Sequence, residues 1–367
     1  MSDWKECKLG DVAEIVGGGT PSTKINDYWN GDIAWLTPRD LSNFTGRFIS
    51  SGERNITKHG LLNSSARLLP KGSVLLSSRA PVGYLAIAKN EITTNQGFRS
   101  LIAKGNTTTD FLYYLLKNNV EYLKSQATGT TFGELAGSTL KSLTFNFPPL
   151  LEQRVIASVL SSLDDKIDLL HRENRTLEAM AETLFRQWFV EGADKRWEAQ
   201  PIGDLFNISS GKGLKKEEFN DNGIYPVLGA NGEIGRTDKY LFDGKLIFTG
   251  RVGTLGNVFI INNEKVWLSD NTLVIKPYNY FYSIYYILKT IKLEEYNVGS
   301  TQPLIRQSDI KAIEFALPSD ATLKKFENEA ELLFSKTNFN NKQIRTLEKL
   351  RDTLLPKLMS GEVRVKV

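Results

Sequence analysis

Soft metal ligands are nearly absent from this chain of 367 residues, which carries one cysteine, Cys7, and two histidines, His59 and His171. A single cysteine excludes an intrachain disulfide framework, and so few soft side chains cannot build a structural zinc site. No eighteen uncharged apolar residues follow one another, so a membrane-spanning helix is not expected. The opening MSDWKECKLGD also lacks a basic stretch leading into an apolar run. These absences lead us to expect a soluble, cytoplasmic protein in a reducing compartment. A strong charge of one sign is missing as well. The net charge is +4, distributed as +4 over residues 1–149, −2 over 150–196, −1 over 197–319 and +3 over 320–367. Bulk charge therefore argues for nucleic acid only weakly.

Catalytic signatures are missing too. Gly17-Gly18-Gly19 follows a strand-like run but lacks the lysine and hydroxyl residue of a phosphate-cradling loop, and no G-x-G-x-x-G opens a helix. Asn146-Phe147-Pro148-Pro149 superficially resembles the Asn-Pro-Pro-aromatic loop of adenine methyltransferases, but its order is wrong and no glycine-rich cofactor loop accompanies it. It reads as the stop before a helix. His171 falls within a coiled-coil segment and reads as structural, and His59 has no carboxylate or serine motif beside it.

What the sequence does have is a repeat, and it organises everything else. WKECKLGDVAEIVGGG from Trp4 is echoed by WEAQPIGDLFNISSGKG from Trp197, with Gly10/Gly203 and Asp11/Asp204 193 positions apart. TGTTFGELAGSTLKSLTFNFPP from Thr128 aligns with VGSTQPLIRQSDIKAIEFALPS from Val298 at a spacing of 170, and the same spacing relates Arg175-Thr176-Leu177-Glu178 to Arg345-Thr346-Leu347-Glu348. Each copy is a globular head followed by a long helix. The heads read as short β-rich runs such as SVLLSS, YLAIAK, KLIFTG and NVFIIN, each head having one helical stretch, near DFLYYLLKNNVEYLKS and YFYSIYYILKTI.

After Pro148-Pro149 the pattern changes to a coiled-coil seam, with apolar residues at alternating spacings of four and three. Ile156, Leu160, Leu163, Ile167, Leu170, Asn174, Leu177, Ala181, Leu184 and Trp188 form one seam. Leu323, Phe326, Ala330, Leu333, Thr337, Asn340, Ile344, Leu347, Arg351, Leu354 and Leu358 form the other. A long amphipathic helix must cover its stripe, and the nearest partner is the other copy. The expected fold is α+β, with two β-rich heads joined by two long helices in an antiparallel coiled coil with pseudo-two-fold symmetry. The boundaries follow as 1–149, 150–196, 197–319 and 320–367. If Trp188 meets Phe326 and Ile156 meets Leu358, facing numbers sum to 514, which pairs Leu170 with Ile344, Ile167 with Leu347 and Asn174 with Asn340.

Two related heads suit a ligand with two half-sites, and double-stranded DNA is such a ligand. Lys and Arg would meet phosphates, while Arg, Asn, Gln, Ser and Thr would meet base edges. In the first head the candidates are Thr20, Ser22, Thr23 and Lys24 of GGGTPSTK, Arg39 of TPRD, Arg79 of SSRAPVG, Asn95, Gln96 and Arg99 of TTNQGFR, and Thr130 and Thr131 of ATGTTFG. In the second they are Lys212, Lys215, Lys216, Asn231, Arg236, Arg251, Asn271, Ser300, Thr301, Gln302 and Arg306. Singly, each is an ordinary turn residue or solvated charge; only the set points to DNA.

The run PPLLEQRVIASVLSSLDDKIDLLHRENRTLEAMAETLFRQWF, the ending LEKLRDTLLPKLMSGEVRV, the openings LGDVAEIVGGGTPS and IGDLFNISSGKG, and SSRAPVG and TNQGF resemble type I restriction-modification specificity subunits over essentially the whole chain. The resemblance implies two target-recognition domains, each reading half of a bipartite asymmetric site, and helical regions that dock two modification subunits. It also implies restriction subunits in the assembly, with S-adenosylmethionine, ATP and Mg belonging to those partners and no catalytic centre or cofactor here. The second head is expected to lack an equivalent of GGGTP and of the IAWLTPRDL block and is shorter, which argues against transferring contacts onto it loop by loop. A self-contained restriction-methylation enzyme would need motifs that the chain lacks. A paired-head scaffold or carbohydrate-binding protein would show no salt-dependent DNA binding.

Overall fold

The computed structural model describes residues 3–129 and 133–366. It divides into two compact units, one of Met1–Leu170 with Gln343–Val367 and one of His171–Lys342.

In the first unit the apolar runs become a five-stranded sheet in the order Ala13–Gly17, Arg99–Ala103, Val74–Ser78, Val82–Ala88 and Phe48–Ile49, antiparallel except for the last pair. A smaller sheet holds Trp29–Leu36 between antiparallel Arg54–Ile56 and parallel Thr93–Thr94. Lys5–Lys8 pairs with Thr144–Phe147. The helix Thr109–Asn118 starts at Thr108, whose side chain accepts from the Phe111 N–H, and it buries Phe111, Leu112, Tyr114, Leu115 and Leu116 against the large sheet.

The second unit repeats this plan. Phe206–Ser210, Thr272–Pro277, Leu246–Gly250 and Val258–Ile261 form an antiparallel four-stranded sheet. Tyr225–Gly229 lies between antiparallel Gly232–Thr237 and parallel Trp267–Leu268, and Ala199–Pro201 pairs with Glu314–Ala316. The helix Phe281–Thr290 is nearly all buried.

The central helix spans Leu150–Phe185 and the C-terminal helix Asp320–Ser360. The latter carries Pro356 on an exposed position and stops at Gly361, whose φ of 75° is the left-handed conformation that ends helices. The boundary between the units cuts both helices. Within the first unit, Ile156, Ala157 and Leu160 share a core with Leu355, Leu358 and Met359, and Ile167, Leu170, Ile344 and Leu347 cluster together. Within the second, Phe185 and Trp188 lie edge-on to Phe326, at 5.6 and 6.2 Å between ring centroids. Low numbers on one helix thus meet high numbers on the other, which is antiparallel pairing. Asn340 Nδ2 donates to Asn174 Oδ1 at 2.9 Å, in the register whose facing numbers sum to 514. His171 is exposed on the central helix.

Each unit ties its sheets to its helix segments with charged groups. Arg47 meets Asp165 at 2.7 Å and Asp110 at 3.4 Å, while the Tyr114 hydroxyl donates to Asp164, which also pairs with Arg351 at 2.8 Å. Burial, reinforced by Asp164, pushes the Tyr114 hydroxyl well above its ordinary range, so it acts as a neutral donor. In the second unit Lys245 pairs with Glu331 at 2.9 Å, and Glu327 accepts from the N–H groups of Tyr282 and Ser283, the start of Phe281–Thr290.

Candidate nucleic-acid interface

In the first unit, long-range backbone hydrogen bonds draw most of the candidate loops together. Gly19 N donates to Thr94 O (2.9 Å), Asn95 N to Leu36 O (2.8 Å), Ser78 N to Gly97 O (2.7 Å) and Leu135 N to Ser78 O (2.9 Å). The turns bearing Thr20, Arg39, Arg79 and Asn95-Gln96 therefore share one junction. Side chains add to it. Thr20 Oγ1 donates to Gln96 Oε1, and Asn95 Oδ1 accepts from Gly97 N at 2.9 Å, closing its own turn. Gly18 is required by this closeness, because a Cβ there would stand 2.0 Å from the Asn95 carbonyl oxygen.

Two tryptophans hold the Gly17–Lys24 loop from beneath. Trp35 Nε1 donates to Gly19 O at 2.9 Å and Trp29 Nε1 to Ser22 O at 3.1 Å. Their rings meet edge-to-face at 5.0 Å, with the Arg54 guanidinium 3.5 Å over Trp29. Ser22, Thr23 and Lys24 are left exposed by this arrangement, as are Arg39 and Gln96. Thr130 and Thr131 lie outside the described residues. Among the described residues nearby, Thr128 and Glu134 exchange paired backbone bonds.

The same backbone bonds recur in the second unit. Lys212 N donates to Leu268 O (2.9 Å), Ser269 N to Leu228 O (2.9 Å), Arg251 N to Asn271 O (2.8 Å) and Ile305 N to Arg251 O (3.0 Å). Gly211 matches Gly18, its Cβ position lying 2.1 Å from the Ser269 carbonyl oxygen. These matches correct the expectation that the second head lacks counterparts of GGGTP and IAWLTPRDL. Gly211-Lys212 stands in the place of the first turn, and strand Tyr225–Gly229 stands in the place of Trp29–Leu36. Side chains had diverged while the backbone pairing, which carries no residue identity, remained.

Here Trp267 Nε1 donates to Lys212 O at 2.7 Å, an indole anchor supplied by a different strand. Asn231 bonds Thr254 (3.0 Å) and accepts from Asn257 (3.2 Å). Lys212, Lys215, Lys216, Asn271, Ser300, Thr301, Gln302 and Arg306 are exposed, and Arg251 is partly so. Arg236 is committed elsewhere, donating to the carbonyls of Gly223 (2.8 Å) and Ile224 (2.9 Å) and pairing with Glu233. Its guanidinium is tied to its own unit, as that of Arg99 is by Glu134 and by the Phe98 and Gln96 carbonyls.

Among the described residues no group of three His, Cys, Asp or Glu side chains is placed to hold a metal ion, and no helix is long and apolar enough to cross a membrane. Sequence reasoning missed Glu134, which faces both Arg79 and Arg99, and the tryptophan supports. Trp29 and Trp35 lie on one strand, but its pairing slips between Trp29 and Ile33, which both face Ile56, and Asn30 takes a φ of 60°, so strand alternation could not have shown that the two indoles meet.

A family model for the type I restriction modification DNA specificity domain matches residues 1–179 and again 194–349, the two copies of the repeat. The chain belongs to this family. It is 38% identical to the type I restriction enzyme MjaIX specificity subunit of Methanocaldococcus jannaschii, over 99% of this chain and 94% of that protein. It is 24% identical to the EcoprrI specificity subunit of Escherichia coli, over 85% of this chain and 82% of the relative. The crystal structure of a type I restriction-modification S subunit from M. genitalium shares the fold of this family member, with a TM-score of 0.60, 23% identity, and coverage of 98% and 96% of the two chains.

Proposed function

We propose that this chain supplies the sequence specificity of a type I restriction-modification complex, each head reading one half of a bipartite asymmetric site in double-stranded DNA. The observation that carries the reading is the loop junction built twice on the same backbone bonds with different side chains displayed on it. One scaffold thus offers two unlike sets of base-edge and phosphate groups. On this reading residues 1–149 and 197–319 are the target-recognition domains, and residues 150–196 and 320–367 dock two modification subunits. Restriction subunits join that assembly. Methyl transfer with S-adenosylmethionine, and ATP- and Mg-dependent cleavage, fall to the partners; this chain takes no catalytic step and works in the cytoplasm.

Co-expression with its modification subunits, followed by genome-wide mapping of methylated adenines, tests this. A motif of two unlike half-sites separated by a fixed gap is the expected result. A single contiguous motif, or none, would overturn it.

A further inference from the structure

Glu134 lies at the centre of the first unit's loop junction. Arg99 Nη2 stands 2.8 Å from Glu134 Oε1 and Arg79 Nη1 3.8 Å from Oε2, with the three side chains 21%, 36% and 39% exposed in the order Arg99, Arg79, Glu134. Arg99 is further held by the carbonyls of Phe98 (3.0 Å) and Gln96 (3.3 Å). Glu134 itself is fixed by two backbone bonds to Thr128. One carboxylate therefore collects two guanidiniums from two neighbouring loops, the arrangement that a phosphate would otherwise complete.

The fold does not need these charges. By the matched backbone bonds, Arg79, Arg99 and Glu134 correspond to Val252, Leu273 and Leu304 in the second unit, where Val252 and Leu304 form a β-bridge and Leu273 is buried. The same junction thus closes with apolar side chains. Partly exposed ion pairs contribute little to stability, so a structural role does not explain the trio. A negative charge among groups meant for DNA also costs phosphate affinity.

We propose that Glu134 is a positioning residue that sets the specificity of the first head. Its carboxylate holds Arg79 and Arg99 away from the nearest phosphates and in the orientation in which they meet base edges. This rests on the reading that the loop junction faces DNA.

The test uses the full chain assembled with its modification subunits, comparing wild type, Glu134→Gln and Glu134→Gln/Arg79→Gln. Binding to a mixed-sequence duplex lacking the methylated motif is measured against salt, and methylated sites are mapped. Glu134→Gln is expected to bind that duplex about tenfold tighter at low salt, with a log–log salt slope steeper by about 1 to 2 as one or two phosphates are newly neutralised. It should relax the first half-site only, and the added Arg79→Gln should return the slope toward wild type. A purely structural role would move thermal stability and none of these. Wild-type slope and fidelity in Glu134→Gln, beside a bipartite wild-type motif, would overturn the positioning role alone. A wild-type complex without a bipartite motif would overturn the underlying reading, and the positioning role with it.

Discussion

Replacing Asn174 and Asn340 together by leucine should stabilise the second unit, although the pair is hydrogen-bonded in the native chain. Asn340 is fully buried, and its Oδ1 has no partner, a loss of about 1–3 kcal/mol. Its Nδ2 donates to Asn174 Oδ1 at 2.9 Å and Glu173 Oε2 at 3.1 Å, which together return roughly 2–4 kcal/mol, and Asn174 Nδ2 donates to the exposed Asn341 Oδ1 at 2.8 Å, a solvated bond that adds about 0.5 kcal/mol. Two leucines would add about 1.5–3 kcal/mol at the buried position and about half that at the partly exposed one. The net gain is about 1–3 kcal/mol for the double variant, with each single variant near zero because it leaves one amide facing a leucine. The repeat supplies the comparison. A spacing of 170 maps Leu170 onto Asn340 and Asn174 onto Ile344, so the Leu170–Ile344 layer of the first unit is the apolar version of the same layer. Stability is therefore not what the asparagines contribute. Slipped by one heptad, Asn340 would face Ile167 or Ala181 and Asn174 would face Leu333 or Leu347, leaving each amide unpaired. The amide pair specifies register. Denaturant unfolding together with hydrogen exchange over residues 170–178 and 336–344 measures the double-mutant cycle. A double variant less stable than wild type by about 2 kcal/mol or more would refute the reasoning, since the polar layer would then be worth more than the apolar area replacing it.

Gly18→Ala and Gly211→Ala should each disrupt their own unit, because the new methyl would lie 2.0 or 2.1 Å from a backbone oxygen; limited proteolysis localised to the altered unit is the readout, and a fully protease-resistant variant would contradict it. Trp35→Phe removes the indole donor to Gly19 O and should cost about 1 kcal/mol of loop order. Faster exchange over residues 17–24, with fidelity falling at only one half-site, would bear this out, and unchanged exchange would not. Burial holds the Glu327 carboxyl above its ordinary value of 4.5, against the pull of the Tyr282 and Ser283 N–H groups. Its contribution to stability is therefore fully present below the unfolded value and is lost as pH rises through the higher folded value. Glu327→Gln should flatten the melting temperature between acid and neutral pH, and curves parallel to wild type would rule the linkage out.

Much of the fold was legible in the sequence because its signals are local. The alternating fours and threes from Ile156 to Trp188 state a helix and its buried stripe within one segment, and matching them to the second copy was enough to bring Asn174 opposite Asn340. The run VLLSS and the turn residues around it likewise name a strand without reference to the rest of the chain. The candidate site needed more. That Gly19 meets Thr94, or that Glu134 meets both Arg79 and Arg99, depends on hydrogen bonds between residues far apart in the chain, to which no spacing points. Tertiary structure alone showed that Arg236 is spent on the Gly223 and Ile224 carbonyls. It alone showed that Tyr225–Gly229 takes the place of Trp29–Leu36, because strand pairing is a backbone interaction and persists after the side chains that would reveal it have changed.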